Sequence, residues 1–345
     1  MSLFPFTRAA AIRALVAGFQ PDLIHLHGGI MTPFLARSPA FDVPVVTSVY
    51  GWAGPPSRRE MARSTVAELR GCVGTQARVL LAGILPEAMV RAALDGRGPV
   101  RGVIAHDPRV AARLGGLARV PVRLAEWGAS IDGRRAMLRG DAPVIVFAGR
   151  AETARGVDTL VRAMPGILRH HPAARLRLLL LPAPQLEGLR RMARRSPAAA
   201  AIEVVTDRPA DLRVELARAT VAAFPFKFDH TTSITPPLTV VEAMSVGLPV
   251  VVSAVGCMEA VVAARRGTVA VPPGDADAVA RAVVAALDPP RWQRLSDEAY
   301  QLVRDRWNWD NAARVTGRLY EEVIDEARRT AARRRPPLRA AGRAL

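Results

Sequence analysis

The stretch Thr235-Pro236-Pro237-Leu238-Thr239-Val240-Val241-Glu242-Ala243-Met244-Ser245-Val246-Gly247-Leu248-Pro249-Val250-Val251-Val252-Ser253 decides the fold. Two prolines cannot stand inside a helix, so a helix has to begin near Leu238, leaving the amides of Leu238 and Thr239 without helical partners. Helical spacing runs to Val246, Gly247-Leu248-Pro249 breaks it, and VVVS then reads as a short buried strand. A helix leading directly into a continuous apolar strand is part of a βα repeat, and such repeats imply a parallel sheet.

Working outward, the same alternation covers most of the chain. After this point a strand is predicted at 268–271 and helices at 276–287, 291–306 and 310–329. Before it, strands are predicted at 144–148, 176–181, 202–205 and 221–224, with helices at 156–170, 183–194 and 211–218. A Pro-, Gly- and Arg-rich stretch at 128–143 precedes this half. The first part carries strands at 22–26 (DLIHL), 43–49 (VPVVTSV) and 100–105 (VRGVIA), with helices at 58–69 and 87–94 between them. The fold class is therefore α/β, as two stacked α/β domains.

Composition narrows the function classes. Half of the 345 residues are hydrophobic, enough for a sizeable core. No apolar run reaches the ~18 residues a membrane span needs. The N-terminus lacks a basic region ahead of its apolar residues, so a cytoplasmic location is expected. Cys72 and Cys257 are the only cysteines, too few for a disulfide framework or a metal knuckle. The net charge of +17 would suggest nucleic acid, but Lys227 is the only lysine and Asn308 and Asn311 the only asparagines. That skew matches a GC-rich coding bias. Seven arginines without an acid fill the last eighteen residues and supply seven of those charges. With 5% aromatics there is no base-stacking platform, so no nucleic-acid partner is expected.

Three segments carry chemistry. The predicted strand at 144–148 ends in Gly149-Arg150, and Arg155-Gly156 opens the next helix. Glycine lets the backbone approach a ligand, a helix N-terminus at a strand's carboxyl end attracts anions, and two guanidiniums suit a diphosphate. In a chain so rich in arginine, two solvated side chains beside a turn are the equal alternative. The amides of Leu238 and Thr239 make a second anion site, and Glu242, one turn on, could bridge the hydroxyls of a ribose or simply complement the helix dipole. Cys257, in the turn Val255-Gly256-Cys257-Met258-Glu259, has no basic partner in sequence and reads as a small buried residue.

The order GR…RG, PPLTVVEAMSVGLPVVVS, VG, PPGDADAVARAV, WNWD and an amphipathic end helix resembles the retaining glycosyltransferases of family 4, which have the GT-B fold. The resemblance spans 143–325; PDLIHLHGG and VPVVTSVYG resemble the later strands of the family's N-terminal domain more loosely. It implies a Rossmann-like acceptor domain over 1–138, a nucleotide-sugar-binding domain over 139–309, a helix at 310–328 crossing back, and a basic disordered tail at 329–345. A UDP-, GDP- or ADP-linked sugar is the implied donor, with no cofactor and no metal, and a glycan, lipid or small molecule is the acceptor. By the same resemblance Gly149, Arg150, Arg155, Leu238 and Thr239 hold the diphosphate and Glu242 holds the ribose. His27, Gly28 and Gly29 lie on the acceptor side.

Three departures from the family bear on activity. Its paired glutamates lie eight positions apart, but Ile234 stands eight before Glu242, leaving Asp229 or His230 as substitutes. Tyr50 occupies the place of a sugar-contacting histidine, and with Asp229 and His230 completes the catalytic candidates. His25 and His27, alternating with Leu26, share a strand face, and at least one is expected to be structural. The strands that open the family's first domain have no counterpart here. The start lies upstream, a partner chain completes the domain, or the domain is remodelled. A weakened, nucleotide-binding or scaffolding partner of another chain is the alternative to a working transferase. The arginine tail would favour peripheral contact with an anionic membrane at its inner face, at about 1 kcal/mol per arginine.

Overall fold

A computed structural model describes residues 9–28, 30–37, 41, 43–50, 87–138, 141–227 and 238–334. The predicted helix at 58–69, Gly29, Cys72, Asp229, His230, Ile234 and the end of the tail at 335–345 lie outside the described residues.

The described strands form two wholly parallel sheets. The first has the order β1-β2-β3-β4, from β1 (Ile24–Gly28), β2 (Val45–Val49), β3 (Val100–Ala105) and β4 (Val122–Leu124). The second takes β5 (Val144–Arg150), β6 (Arg175–Leu181), β7 (Ile202–Val205), β8 (Val221–Phe224), β9 (Val250–Ser253) and β10 (Thr268–Val271) in the order β10-β9-β8-β5-β6-β7. Their sequences are near-continuous Val, Ile, Leu and Ala because both faces are covered by helices. β1 begins two residues later than its apolar run suggests, with Leu23 packed in the small cluster beneath the last helix. The three-residue β4 is interrupted by Arg123 and gives no strand pattern in sequence.

Between the strands run α1 (Ala9–Phe19), α2 (Thr32–Leu35), α3 (Glu87–Ala93), α4 (Pro108–Gly115), α5 (Val157–Leu168), α6 (Leu186–Arg195) and α7 (Leu212–Ala217). After β8 come α8 (Leu238–Ser245), α9 (Glu259–Ala264), α10 (Ala276–Ala286), α11 (Pro289–Asp305) and α12 (Trp309–Arg334). Asp107, Asp211, Asp275 and Asp288 each cap the N-terminus of the following helix by accepting from a backbone amide. Among the described residues no helix is long and apolar enough to cross a membrane.

In the second sheet β5 is central: the chain moves outward to β6 and β7, then returns to lay β8 on the other side of β5. A ligand crevice is expected outside the carboxyl ends of the two strands where the order reverses. The connections meet there. Lys227 donates its amide to the Ala154 carbonyl at 2.9 Å. Gly156 has φ +74°, and a Cβ added to it would fall on the Pro225 carbonyl. It is thus Gly156, and not Gly149, that the backbone requires to be glycine. Gly149 lies in extended β5, paired with Leu180.

The last helix, α12, packs on the first sheet. Leu319 and Val323 are buried against Val46, Ile104 and Ala125, and Gly102 leaves room for Leu319. A polar chain crosses the same contact. The Ala125 carbonyl only accepts, so His106 Nδ1, 2.6 Å away, carries the proton. His106 Nε2 then accepts from Ser48 Oγ at 3.1 Å, and Ser48 Oγ accepts from His25 Nε2 at 2.8 Å. His25 Nδ1 accepts from the Tyr320 hydroxyl at 2.5 Å. With both rings neutral, as their lowered pKa favours, the fixed acceptor sets both tautomers. Burial, with the nearby charges of His27 and His106, lowers His25 to about 4; burial also lowers His106.

Two outcomes follow from these contacts. Gly156→Ala should be destabilised by the strain of a left-handed alanine, about 1–3 kcal/mol, plus the displacement of the Pro225 carbonyl. Gly274→Ala, with φ +76° and open space around its Cβ, should be destabilised by the strain alone. Equal shifts in urea midpoint would show that the Pro225 contact does not matter. In the second case, the unfolded chain protonates His25 near 6.5 and the folded chain only near 4, so the folded state binds fewer protons between those values. The contribution is intact above pH 6.5 and is lost as pH falls through that window. The urea midpoint should fall over that range, and fall less for His25→Gln; identical curves would exclude His25 as a source.

Candidate functional site

At the carboxyl end of β5 the chain makes a short turn through Thr153–Arg155 before α5. Arg150 closes the strand and Arg155 closes the turn, so the two arginines of the sequence motif emerge on the same crevice. Glu152 joins them: its Oε1 lies 2.8 Å from Arg150 Nε and its Oε2 lies 3.1 Å from Arg155 Nε. Burial raises the Glu152 pKa, but hydrogen bonds and charge from the two arginines outweigh burial and hold it below the usual carboxylate range. The Arg155 guanidinium also lies over the Phe226 ring, 5.3 Å from its centre.

One turn further on, Asp158 is buried and accepts from Lys227 at 2.5 Å and from Arg162 at 2.8 Å. Lys227 follows β8, so this pair bridges the two strands of the crevice. Arg150 and Arg155 thus share Glu152, and Arg162 and Lys227 both reach Asp158. The two arginines on one carboxylate sit where a parallel sheet offers its ligand crevice.

Leu238 and Thr239 open α8, with Leu238 exposed and Thr239 half-buried. Glu242 is half-buried on the same helix. Burial raises its pKa and Asp211 adds to the rise, while Arg213 opposes it. Among the described residues no ion pair joins Glu242 to Arg150 or Arg155. Cys257 is buried in the turn at Gly256–Met258.

In the first sheet, the carboxyl ends of β1, β2 and β3 gather His27, Gly28, Tyr50 and His106. His27 is exposed and its Nδ1 lies 3.0 Å from the Tyr50 hydroxyl. The His25 and His27 rings are 3.8 Å apart, in keeping with one strand face. Tyr50 lies 5.4 Å from the Trp127 ring, which stacks on His106 at 4.2 Å. Burial raises the Tyr50 pKa, so its hydroxyl keeps its proton at neutral pH and can donate. The Tyr50 amide donates to the Gly28 carbonyl at 2.9 Å, fixing the two residues together. A separate cavity of about 460 Å³ opens between α4 and α9, with Arg109, Glu259 and Arg306 on its walls; none of Arg150, Arg155 or Glu242 lines it.

Sequence reasoning missed Glu152, Ser48, His106, Trp127 and Tyr320. Glu152 alone left a signal, as the single acid between two motif arginines; the others meet only through long-range packing.

Comparison with known proteins places this geometry. Residues 142–289 match the family described as glycosyl transferases group 1. The D-inositol 3-phosphate glycosyltransferase of Acidothermus cellulolyticus is 32% identical over 211 residues, which cover 59% of this chain and 46% of that protein. The GDP-mannose-dependent alpha-(1-6)-phosphatidylinositol monomannoside mannosyltransferase of Mycolicibacterium smegmatis is 34% identical over 196 residues, 55% of this chain and 49% of the other. The chain thus spans about half the length of these relatives. Among solved structures, sucrose-phosphate synthase from Thermosynechococcus elongatus aligns with a TM-score of 0.71 at 22% identity, covering 92% of this chain and 77% of that one. Anabaena HepE in complex with UDP and glucose aligns with a TM-score of 0.63 at 15% identity, covering 94% and 80%. The chain therefore has a GT-B fold, and the segment that includes the whole second sheet, 142–289, is the one that matches the glycosyl transferases group 1 family.

Proposed function

We propose that this chain transfers a sugar from a nucleotide-diphosphate-sugar to a glycan, lipid or small-molecule acceptor, with retention of configuration and without a metal ion. The observation that carries the reading is the pair of arginines, Arg150 and Arg155, assembled at the strand-order reversal of a group 1 domain. Related proteins support the donor class: one is named as GDP-mannose-dependent and one solved structure holds UDP and glucose.

In this reading the diphosphate is the leaving group, and charge builds on it as the glycosidic bond breaks. Two guanidiniums and the free amides of Leu238 and Thr239 stabilise that charge from fixed positions, the role a metal would otherwise fill. Glu242, half-desolvated and without a cationic bond of its own among the described residues, accepts from the ribose hydroxyls, a pairing that favours its ionised form. The acceptor lies on the opposite wall beside His27, Gly28 and Tyr50, where the protonated Tyr50 hydroxyl donates a hydrogen bond. Its attacking hydroxyl enters from the face that the nucleotide leaves, which gives retention.

Calorimetric titration of the full chain with UDP, GDP and ADP tests the donor site. One nucleotide should bind, and Arg150→Ala should weaken it on the order of 10- to 100-fold, the loss of a charge-assisted bond. Glu242→Gln should weaken it about tenfold, and equally for the nucleoside monophosphate, since the ribose contact does not involve the second phosphate. Binding of none of the three would overturn the reading.

A further inference from the structure

The diphosphate grip contains an acid, which at first sight opposes its purpose. Glu152 has a side chain only 21% exposed, and each of its carboxylate oxygens takes a different arginine. It stands at the N-terminal position of the short turn, where a carboxylate would ordinarily cap a free amide. The Thr153 amide instead donates to Gln185 Oε1 at 2.7 Å. The Glu152 carboxylate makes no cap bond and lies between the two arginines.

The atoms used decide what the bridge does. Both arginines reach Glu152 through Nε, the nitrogen next to the aliphatic stem. The terminal Nη1/Nη2 fork of each makes no hydrogen bond among the described residues. A fork of this kind matches the spacing of two phosphate oxygens. Without an anion between them, two adjacent guanidiniums repel and separate, and a ligand would have to gather them as it binds. With Glu152 between them they stay assembled. Arg155 is steadied further by the Phe226 ring, whereas Arg150, 47% exposed, has Glu152 as its only ion-pair partner among the described residues.

We propose that Glu152 is a positioning residue of the donor site: its carboxylate bridges Arg150 and Arg155 through their Nε atoms and holds the two terminal forks side by side for the two phosphates of a nucleoside diphosphate. The proposal rests on the reading of these arginines as the diphosphate grip. It makes recognition of the second phosphate depend on Glu152, because a monophosphate engages one fork and gains little from having both in register. The negative charge of Glu152 works against any phosphate, so the bridge is useful only if preorganisation outweighs that repulsion.

The test is calorimetry on the full chain with UDP, GDP and ADP and their monophosphates UMP, GMP and AMP, for the wild-type protein, Arg150→Ala, Glu152→Gln and Glu152→Ala. Glu152→Gln keeps the side chain's size but offers one acceptor oxygen in place of two. Both Glu152 variants should lower diphosphate affinity by about tenfold, with monophosphate affinity within about twofold of wild type. The preserved monophosphate affinity shows that the site is folded. Unchanged or tighter diphosphate binding in both variants would make Glu152 a bystander or a competitor and overturn the proposal. So would an equal loss for mono- and diphosphates, the mark of a merely structural role. If the wild-type chain binds no diphosphate, or Arg150→Ala binds as the wild type does, the donor-site reading fails and this inference with it. If Arg150 matters and Glu152 does not, only the inference fails.

Discussion

The chain passes between its two sheets twice, and the two passages touch with no space between them. Outward, it runs from β4 through Glu126, Trp127, Gly128 and Ala129; returning, it runs through Arg306, Trp307, Asn308 and Trp309 into α12. The Ala129 amide donates to the Trp307 carbonyl at 2.9 Å, and Glu126 takes Arg306 with both oxygens, at 2.6 and 2.9 Å. A Cβ on Gly128 would fall on the Asn308 backbone. The covalent links between the first sheet, the second sheet and the returning helix pass through this crossing. The chain's only two asparagines are both spent on it. Asn308 Oδ1 accepts from the Asn311 amide, while Asn308 Nδ2 donates to Arg304 and Asn311 Nδ2 to Asp305 and Arg306, so the carbonyls left open at the end of α11 are satisfied. A side-chain amide both donates and accepts, which no aliphatic or charged residue does at such a break.

The crossing explains why α12 can be both the end of the second half and a structural member of the first. Leaving the crossing, it lies across β2 and β3, where Leu319 and Val323 fill the space under Gly102, and Arg123 and Glu322 pair at 2.8 Å. The chain of bonds from Tyr320 through His25, Ser48 and His106 to the Ala125 carbonyl then joins the helix to three strands and to the start of the outward passage. Because each group has one donor and one acceptor role to fill, the chain runs in a single direction. It ends beside Trp127 and Tyr50, so the wall they form is held by the same contacts that seat the helix.

What the sequence discloses follows from the range of the interactions involved. Buried parallel strands such as VIVFA and VVVS need no long-range information, because burial on both faces makes them continuously apolar. The start of α8 is equally legible, because Pro236-Pro237 excludes a helix before Leu238. Strand order is not local: nothing in the run 221–224 says that it lies beside β5 and not β7. Gly149 and Gly156 stand in the same motif, but the backbone's demand for glycine at Gly156 is not local, because the obstacle is the carbonyl of Pro225, far along the chain. Ser48, His106 and Tyr320 carry no pattern, since each is an ordinary residue until the fold brings it to the others.

Charge shows the same contrast between count and placement. Arginine serves widely in this chain as an internal tie: Arg177 takes Glu203 and Glu215, Arg135 takes Asp297, and Arg306 takes Glu126. Such balanced ties cancel between themselves, and the formal charge of +17 is what remains beyond them. At the strand-order reversal two arginines meet one carboxylate. Arg150 and Arg155 share Glu152, in a crevice whose walls are low-dielectric strands and helices. Field lines leaving such a crevice are focused, and a compact dianion gains more from it than an extended polymer meeting the rest of the surface. In the proposed donor site, selectivity for a diphosphate would come from the two arginines that share Glu152, set in place by the turn geometry that Gly156 makes possible.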